Sequence, residues 1–308
     1  MKTRTAFLYP LIAIVLWSGN VIVSRMSAHA IGPEAITFYR LLLAVLLMST
    51  LVAAPAWRNR AVIWPHLGQF AILGFLAMCL FQALSYLAAE TTTAANMAIF
   101  TALTPLLTVG LSVVLLKEPP TVGVVGGGVL ALAGLIYLVS GGDPLALVHN
   151  GVRLGDLLML LAALVYALYG VLLKRWSLPV SGWQSTYMQA LCALVIMFPA
   201  FLATPPAGRA LNAQTLPLIV YAGGLASVIL PFFWVRGVQL LGPNRCAAFM
   251  NLLPVLTAAG AMALLGEPVR YWHVIGGGAA IAGVICAGLF PRPLRYRGMD
   301  AALRTSGS

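Results

Sequence analysis

The sequence predicts an all-α integral membrane protein, with ten transmembrane helices forming two five-helix inverted-topology repeats around a central cavity. Three observations predict it. Of the 308 residues, 61% are hydrophobic and 8% charged, far from the near-half apolar, quarter-charged mix of soluble domains. Apolar runs of about 17 to 25 residues recur along the chain, each long enough as a helix to cross a hydrocarbon core of about 30 Å. Finally, the chain aligns with itself at an offset of 149 residues, the mark of an internal repeat.

The first span, 6–25, follows Lys2 and Arg4 as a secretory leader would. It is long, however, and SRMSAHAIGPEA after it matches a cleavage site weakly, so it reads as a retained helix. The second and third spans, 35–54 and 66–87, are joined by AAPAWRNRAVIWP. The fourth, 93–115, ends in LLKEPP, and the fifth, 121–140, carries GVVGGGVLALAG and leads into SGGDPLALVHNG. The second half repeats the pattern with spans 154–174, 183–203, 214–235, 244–265 and 271–290, the fourth of these ending in LLGEPV. At each Glu-Pro, proline stops one helix and starts the next at its first turn, with the glutamate at the water boundary. The connections hold the Pro, Gly, Asn and charged residues and are too short for a soluble domain. The chain therefore divides into a first repeat, 1–149, a second repeat, 150–291, and a basic tail, 292–308.

Net charge is +11, and in a membrane chain that excess is read first as topology rather than as a nucleic-acid footprint. With the N terminus inside, the cytoplasmic side receives thirteen cations: Lys2, Arg4, Arg58, Arg60, Lys117, Lys174, Arg175, Arg236, Arg245, Arg292, Arg295, Arg297 and Arg304. The other side receives four, Arg25, Arg153, Arg209 and Arg270, and Arg40 remains inside the second span. Both termini are thus expected in the cytoplasm, with the tail anchoring the topology near anionic lipid. Cys79, Cys192, Cys246 and Cys286 fall in or at the ends of apolar spans without metal-ligand or CxxC spacing, so they read as packing residues.

The repeat matches Pro105 with Pro254, Thr108 with Thr257, Glu118-Pro119 with Glu267-Pro268, Gly127 with Gly276, Gly134 with Gly283 and Gly74 with Gly223. The Pro and Glu-Pro pairs are informative, because Leu, Ala and Gly coincide often in so apolar a chain. Each half holds five spans, an odd number, so the second copy enters the membrane from the opposite side. Inverted repeats are a construction typical of secondary transporters, whose site lies near the midplane between halves that rock to expose it alternately. Pro105 and Pro254 each remove a helical hydrogen bond in mid-span, which serves either as a hinge for that motion or as a fixed bend. The glycine-rich runs are small-residue seams for close helix packing, and they lack the Lys-Ser/Thr ending of a phosphate loop.

The twin halves, the segments TALTPLLTVGLSVVLLKEP and MNLLPVLTAAGAMALLGEP, and the glycine-rich helix after each resemble the ten-helix exporter branch of the drug/metabolite transporter superfamily. The resemblance runs from about residue 6 to 290. Within that family the chain looks like the bacterial exporters of aromatic and neutral amino acids. The resemblance implies a basket lined mainly by helices one, three, four, six, eight and nine, with the fifth and tenth at the back. It also implies an inner-membrane location, outward transport, an amino-acid substrate such as phenylalanine, methionine or threonine, and no cofactor.

The seven acids, Glu34, Glu90, Glu118, Asp143, Asp156, Glu267 and Asp300, all fall at span ends, in connections or in the tail. Proton-coupled transporters usually bury an ionisable relay deep in a helix, so a facilitator or exchanger is the expectation. A shift of one turn at Glu90 or Asp156 would reopen proton coupling. Arg40 lies six residues past Glu34, roughly 9 Å along a helix. It is expected to snorkel outward or to pair with Glu34 or Glu90, in preference to meeting a substrate carboxylate.

Polar and aromatic residues of the cavity-type helices are the candidate binding set. Trp17 and Asn20 lie in LWSGN, Gln82 and Tyr86 four apart in FQALSY, and Asn96 and Phe100 at the start of the fourth span. Tyr166 and Tyr169 lie in LVYALYG, Trp234 in PFFW and Asn251 in the ninth span. A buried amide or phenol needs a partner, and one facing a pore can supply it to an amino-acid backbone; the alternative for each singly is interhelical hydrogen bonding or an interfacial aromatic. A wall of this kind suits an amphipathic solute with a charged end and an apolar side chain.

No HExxH, GxSxG or acid cluster at membrane depth points to an enzyme, and no charge ring or filter sequence points to a channel. Cationic drugs predict a buried acid and nucleotide-sugars a basic cluster, and the expected spans carry neither. The lipid bilayer and a small-molecule substrate are the expected partners, with no nucleic acid and no obligatory protein partner.

Overall fold

A computed structural model describes residues 6–28, 30–115, 122–145, 153–241 and 249–289. Ten helical spans run through them: α1 (Leu8–Ser27), α2 (Pro33–Arg58), α3 (Arg60–Ala88), α4 (Ala94–Ala102 continuing as Thr104–Leu115), α5 (Val122–Val139), α6 (Leu154–Trp176), α7 (Gly182–Ala203), α8 (residues 215–241), α9 (Leu253–Leu265) and α10 (Tyr271–Leu289). Helices are the expected solution, because hydrocarbon offers no partner for an open backbone N–H or C=O. Among the described residues, seven of them are long and apolar enough to cross a membrane, while Val125–Leu138 and Leu253–Leu265 are shorter apolar helices.

Local chemistry sets the boundaries. Pro33 starts α2 after Gly32, four residues of the helix extend past the expected end, and Pro55 is accommodated inside its last turns. Thr93 caps α4 by accepting from the Asn96 N–H. Ser181 and Gln184 form a reciprocal capping box at the start of α7, a signal that the sequence SGWQ carries openly. Gly266, at φ 65°, ends α9 in the left-handed conformation one residue before Glu267.

The two halves share their irregularities. Helix α4 is interrupted at Leu103, two residues before Pro105. The turn Met250–Leu252 precedes α9, with Pro254 in the first turn that follows. Leu103 and Leu252 are 149 residues apart, so each proline's missing N–H leaves its mark at the same repeat position. A second pair was not legible in the sequence. Wide π-type turns run through Phe75–Leu80 of α3 and Tyr221–Ile229 of α8, again at positions overlapping under that offset. Such bulges cluster at functional sites, and both lie where these helices pass the central cavity.

Glycines decide the closest approaches. A Cβ at Gly74 would run into the backbone of Gln189 on α7, and one at Gly223 would come within 2.9 Å of the Arg40 carbonyl on α2. Helices α5 and α10 pack along a small-residue seam in which Gly134 meets Gly276 and Ala280, while Gly283 meets Gly127 and Ala131. The numbering rises on one helix as it falls on the other, so the pair is antiparallel, and together they sit away from the cavity. One cluster of buried side chains joins α1, α4, α5, α6, α9 and α10 through Val21, Phe100, Met159 and Ala261. Another joins α2, α3 and α7 through Phe38, Met48, Phe70 and Ala193. Cys79, Cys192 and Cys286 are free thiols; Cys246, Lys117, Glu118, Arg245 and the 292–308 tail lie outside the described residues.

Candidate functional site

A cavity of about 990 Å³ lies between the two halves, at the upper end of the range for small-molecule sites. Trp17 and Asn20 reach it from α1, Gln82 from α3, Tyr166 and Tyr169 from α6 and Trp234 from α8, so six of the ten predicted residues are brought together. The rest divide. Tyr86 is 2% exposed and stands behind Gln82, bonded to Arg40. Phe100 is buried in the core with Val21 and Met97 rather than facing the cavity. Asn96 lines a separate hollow described below, and the side chain of Asn251 lies outside the described residues.

Aromatic rings form one wall. Trp17 meets Tyr166 edge-on at 6.0 Å and Trp234 at 6.3 Å, while Tyr166 lies 4.8 Å from Phe81 and 5.3 Å from Tyr169. These separations fall in the favourable range for ring pairs, and they bring α1, α3, α6 and α8 to one cluster. Among the polar groups at the cavity, Asn20 Oδ1, Thr104 Oγ1 and Gln189 Oε1 are buried without a protein partner. A buried unsatisfied acceptor costs about 1 to 3 kcal/mol, so these oxygens favour a solute that brings donors.

The structure corrects the expectation for Arg40. It is 4% exposed, lines the cavity and bonds to neither Glu34 nor Glu90. Its Nη1 donates to Gln82 Oε1 at 2.6 Å and to Tyr86 Oη at 3.1 Å, and its Nε and Nη2 donate to Ser227 Oγ at 3.2 and 3.0 Å. All three partners are uncharged. Snorkelling fails for a geometric reason: Arg40 sits seven residues into α2, facing the bundle, with α3 and α8 packed over it. A charge held inside a membrane helix bundle is costly, and this neutral cradle offsets that cost in part.

Its repeat mate is Gln189, 149 residues on, which lines the same cavity and is held by Ser185 at 2.8 Å. Helices α2 and α7 therefore both contribute, although the resemblance placed the lining elsewhere. From the α9 segment only Met250 reaches the cavity among the described residues. Thr104, Gln189 and Ser227 are the residues sequence reasoning missed, while Arg40 was weighed as a carboxylate partner and ranked below snorkelling. Extending the repeat offset from Arg40, the basic residue inside the second span, to Gln189 would have found one of them.

The cavity runs to the α6–α7 turn, where Ser177, Leu178, Val180 and Gly182 line it. The opposite end is tied shut by polar contacts. Arg25 Nε pairs with Glu267 Oε1 at 3.1 Å, and its Nη1 donates to the Ala89 carbonyl. Glu267 Oε2 accepts from the Ala94 N–H at 3.1 Å, at the start of α4. Thr92 and Asn96 both donate to Asp156 Oδ1 on α6, leaving Asp156 Oδ2 and Asn96 Oδ1 without partners. A hollow of about 180 Å³ lies among Asn96, Arg153, Asp156, Glu267 and Arg270. Two expectations change here. Asp156 is at a helix end as expected, yet it is 1% exposed, because the α3–α4 connection folds over the first turn of α6. Glu267 is more than part of a turn, since it links α1, α4 and the α9–α10 connection.

The profile of the EamA-like transporter family matches residues 4–140 and again 153–289, one match per half. The uncharacterized transporter YyaM of Bacillus subtilis is 25% identical over 274 residues, covering 85% of this chain and 88% of the relative. A probable terminal-alkyne amino-acid exporter of Streptantibioticus cattleyicolor is 23% identical over 286 residues, 92% of this chain and 94% of that protein. A solved crystal structure superposes with a TM-score of 0.61 at 20% identity, covering 94% of this chain and 99% of the other.

Proposed function

The chain belongs to the EamA-like transporter family, and from that membership we propose that this membrane transporter exports aromatic and neutral amino acids by alternating access. The observation that carries the reading is the cavity, in which a ring cluster large enough for an apolar side chain stands beside buried acceptors with no protein partner. Trp17, Phe81, Tyr166, Tyr169 and Trp234 receive the side chain, and Asn20, Gln189 and Thr104 accept from the ammonium group. The relative named as a probable amino-acid exporter supports the same substrate class.

Inversion of the repeats is part of the proposal. The antiparallel α5–α10 seam and the matched breaks in α4 and before α9 support it. So does the Arg25–Glu267 pair, because the inverted topology puts both residues on the outer side. With both termini in the cytoplasm of a bacterial inner membrane, the cavity reaches the cytoplasmic α6–α7 turn and the outer end is closed, which is the arrangement that loads substrate for export.

Transport proceeds as facilitated diffusion or exchange. The test is movement of labelled phenylalanine, methionine and threonine across proteoliposomes holding the purified protein, with and without a pH gradient. Absence of movement for every amino acid would refute the substrate class. A second reading, proton coupling, is favoured by one observation, the burial of Asp156 with one oxygen unpartnered; acceleration by a pH gradient at clamped potential would establish it over the first. Cationic drugs fit poorly, since among the described residues the cavity lining holds an arginine and no carboxylate.

A further inference from the structure

We infer that Arg40 is the carboxylate anchor of the cavity, and that the site selects apolar and aromatic carboxylates whether or not they carry an ammonium group. The inference rests on the transport reading above and narrows its substrate class. A guanidinium stays charged at any physiological pH, so the 4%-exposed Arg40 carries its charge inside the helix bundle. Among the described residues no carboxylate pairs with it. Among the described residues of the cavity wall none supplies a negative charge either.

The donors are set for an incoming anion. A guanidinium has five N–H groups in a planar fork, and four are engaged, one from Nε, two from Nη1 and one from Nη2. One Nη2 N–H remains without a partner among the described residues. Gln82 and Ser227, which hold the fork, line the cavity themselves, while Tyr86 supports it from behind. Ser227 Oγ also donates to the Ala222 carbonyl at 2.7 Å, inside the π-type turns of α8, so its position is fixed before a ligand arrives. A carboxylate entering from the cavity takes the free N–H and displaces the neutral Gln82 or Ser227 oxygen, gaining the bidentate, charge-assisted geometry that arginine favours.

The two ends of a zwitterion are therefore read unequally. Its carboxylate meets a fixed opposite charge, whereas its ammonium meets only the neutral oxygens of Asn20, Gln189 and Thr104. Removing the carboxylate leaves Arg40 unpaired beside a second cation; replacing the ammonium by a hydroxyl retains a donor for those oxygens. Phenyllactate should be carried and phenethylamine rejected.

The test uses purified full-length protein, with quenching of tryptophan fluorescence for binding and proteoliposomes for transport, and three probes: L-phenylalanine, 3-phenyllactate and phenethylamine. Wild type is expected to bind and carry the first two and to bind phenethylamine at least tenfold more weakly. Arg40→Gln should weaken both carboxylates tenfold or more, with partial recovery in Arg40→Lys. Should Arg40→Gln fail to fold, Gln82→Glu decides. It places a permanent carboxylate 2.6 Å from the guanidinium, which strengthens a merely structural contact but blocks the anchor. That variant is expected to be at least as heat-stable as wild type and to lose carboxylate binding.

Phenylalanine and phenyllactate handled at wild-type rates by Gln82→Glu, or phenethylamine carried as well as phenyllactate, would overturn the inference while leaving amino-acid export standing. Transport of phenyllactate but of no amino acid, lost in Gln82→Glu, would do the reverse. Failure to carry any of the three overturns both.

Discussion

Replacing Glu267 should loosen the closed end of the transporter. Its carboxylate makes two contacts, with Arg25 Nε at 3.1 Å and with the Ala94 N–H at the start of α4, also at 3.1 Å. The side chains of Arg25 and Glu267 are 30% and 16% exposed, so solvent screening keeps the ion pair to a few tenths of a kcal/mol up to about 1. The negative charge at a helix N-terminus adds about 0.3 to 1 kcal/mol. Together the two are worth about 1 kcal/mol, which shifts a closed-to-open equilibrium roughly fivefold. Glu267→Ala loses both contacts, whereas Glu267→Gln keeps a hydrogen bond to Ala94 and should shift it less.

The assay places a single reporter thiol at Ala258→Cys, which lines the small hollow at that end, after the four native cysteines are replaced. Labelling by a membrane-impermeant maleimide from outside should be about fivefold faster in Glu267→Ala, with Glu267→Gln between it and the parent. Equal rates in all three proteins would show that the contact does not hold this end closed. Faster labelling from the cytoplasmic side only would refute the assigned orientation.

Three further outcomes follow from the packing. Gly134→Leu should break the α5–α10 seam, because its Cβ already meets the Gly276 carbonyl and the Ala280 N–H; overpacking of this kind costs about 1 to 3 kcal/mol, read as a lowered melting temperature in detergent. Ser181→Ala removes the capping box of α7 and should cost about 1 kcal/mol of stability, with transport by the folded fraction unchanged. Trp17→Ala takes away the ring that contacts both Tyr166 and Trp234. It should raise the half-saturation for phenylalanine about tenfold, equivalent to about 1.4 kcal/mol of ring contact, and affect threonine less.

The architecture was legible because it rests on quantities that a linear chain carries. Span lengths and the 149-residue offset depend on composition and order alone. The ring residues Trp17 and Tyr166 were legible for the same reason, being large polar-tipped aromatics in the middle of apolar runs, and Trp234 stands near the end of its run. Phe100 was misplaced because the side of α4 that meets the core depends on helix rotation, and a helix apolar on nearly every side gives no periodicity to fix it. The glycine seams were legible as seams, but not which glycine meets which helix.

The sequence by itself determined that the chain is a membrane bundle of two related halves, since hydrocarbon forces every long apolar run into a helix. Only the tertiary structure decided how the few charges are used. Arg40 and Asp156 are the clearest cases: one looks free to snorkel and the other to face water, yet both are covered by neighbours distant in the chain. Burial of a charge depends on what folds over it, and in a nearly acid-free membrane protein that covering turns Arg40 from a stray cation into a fixed charge in the wall of a cavity.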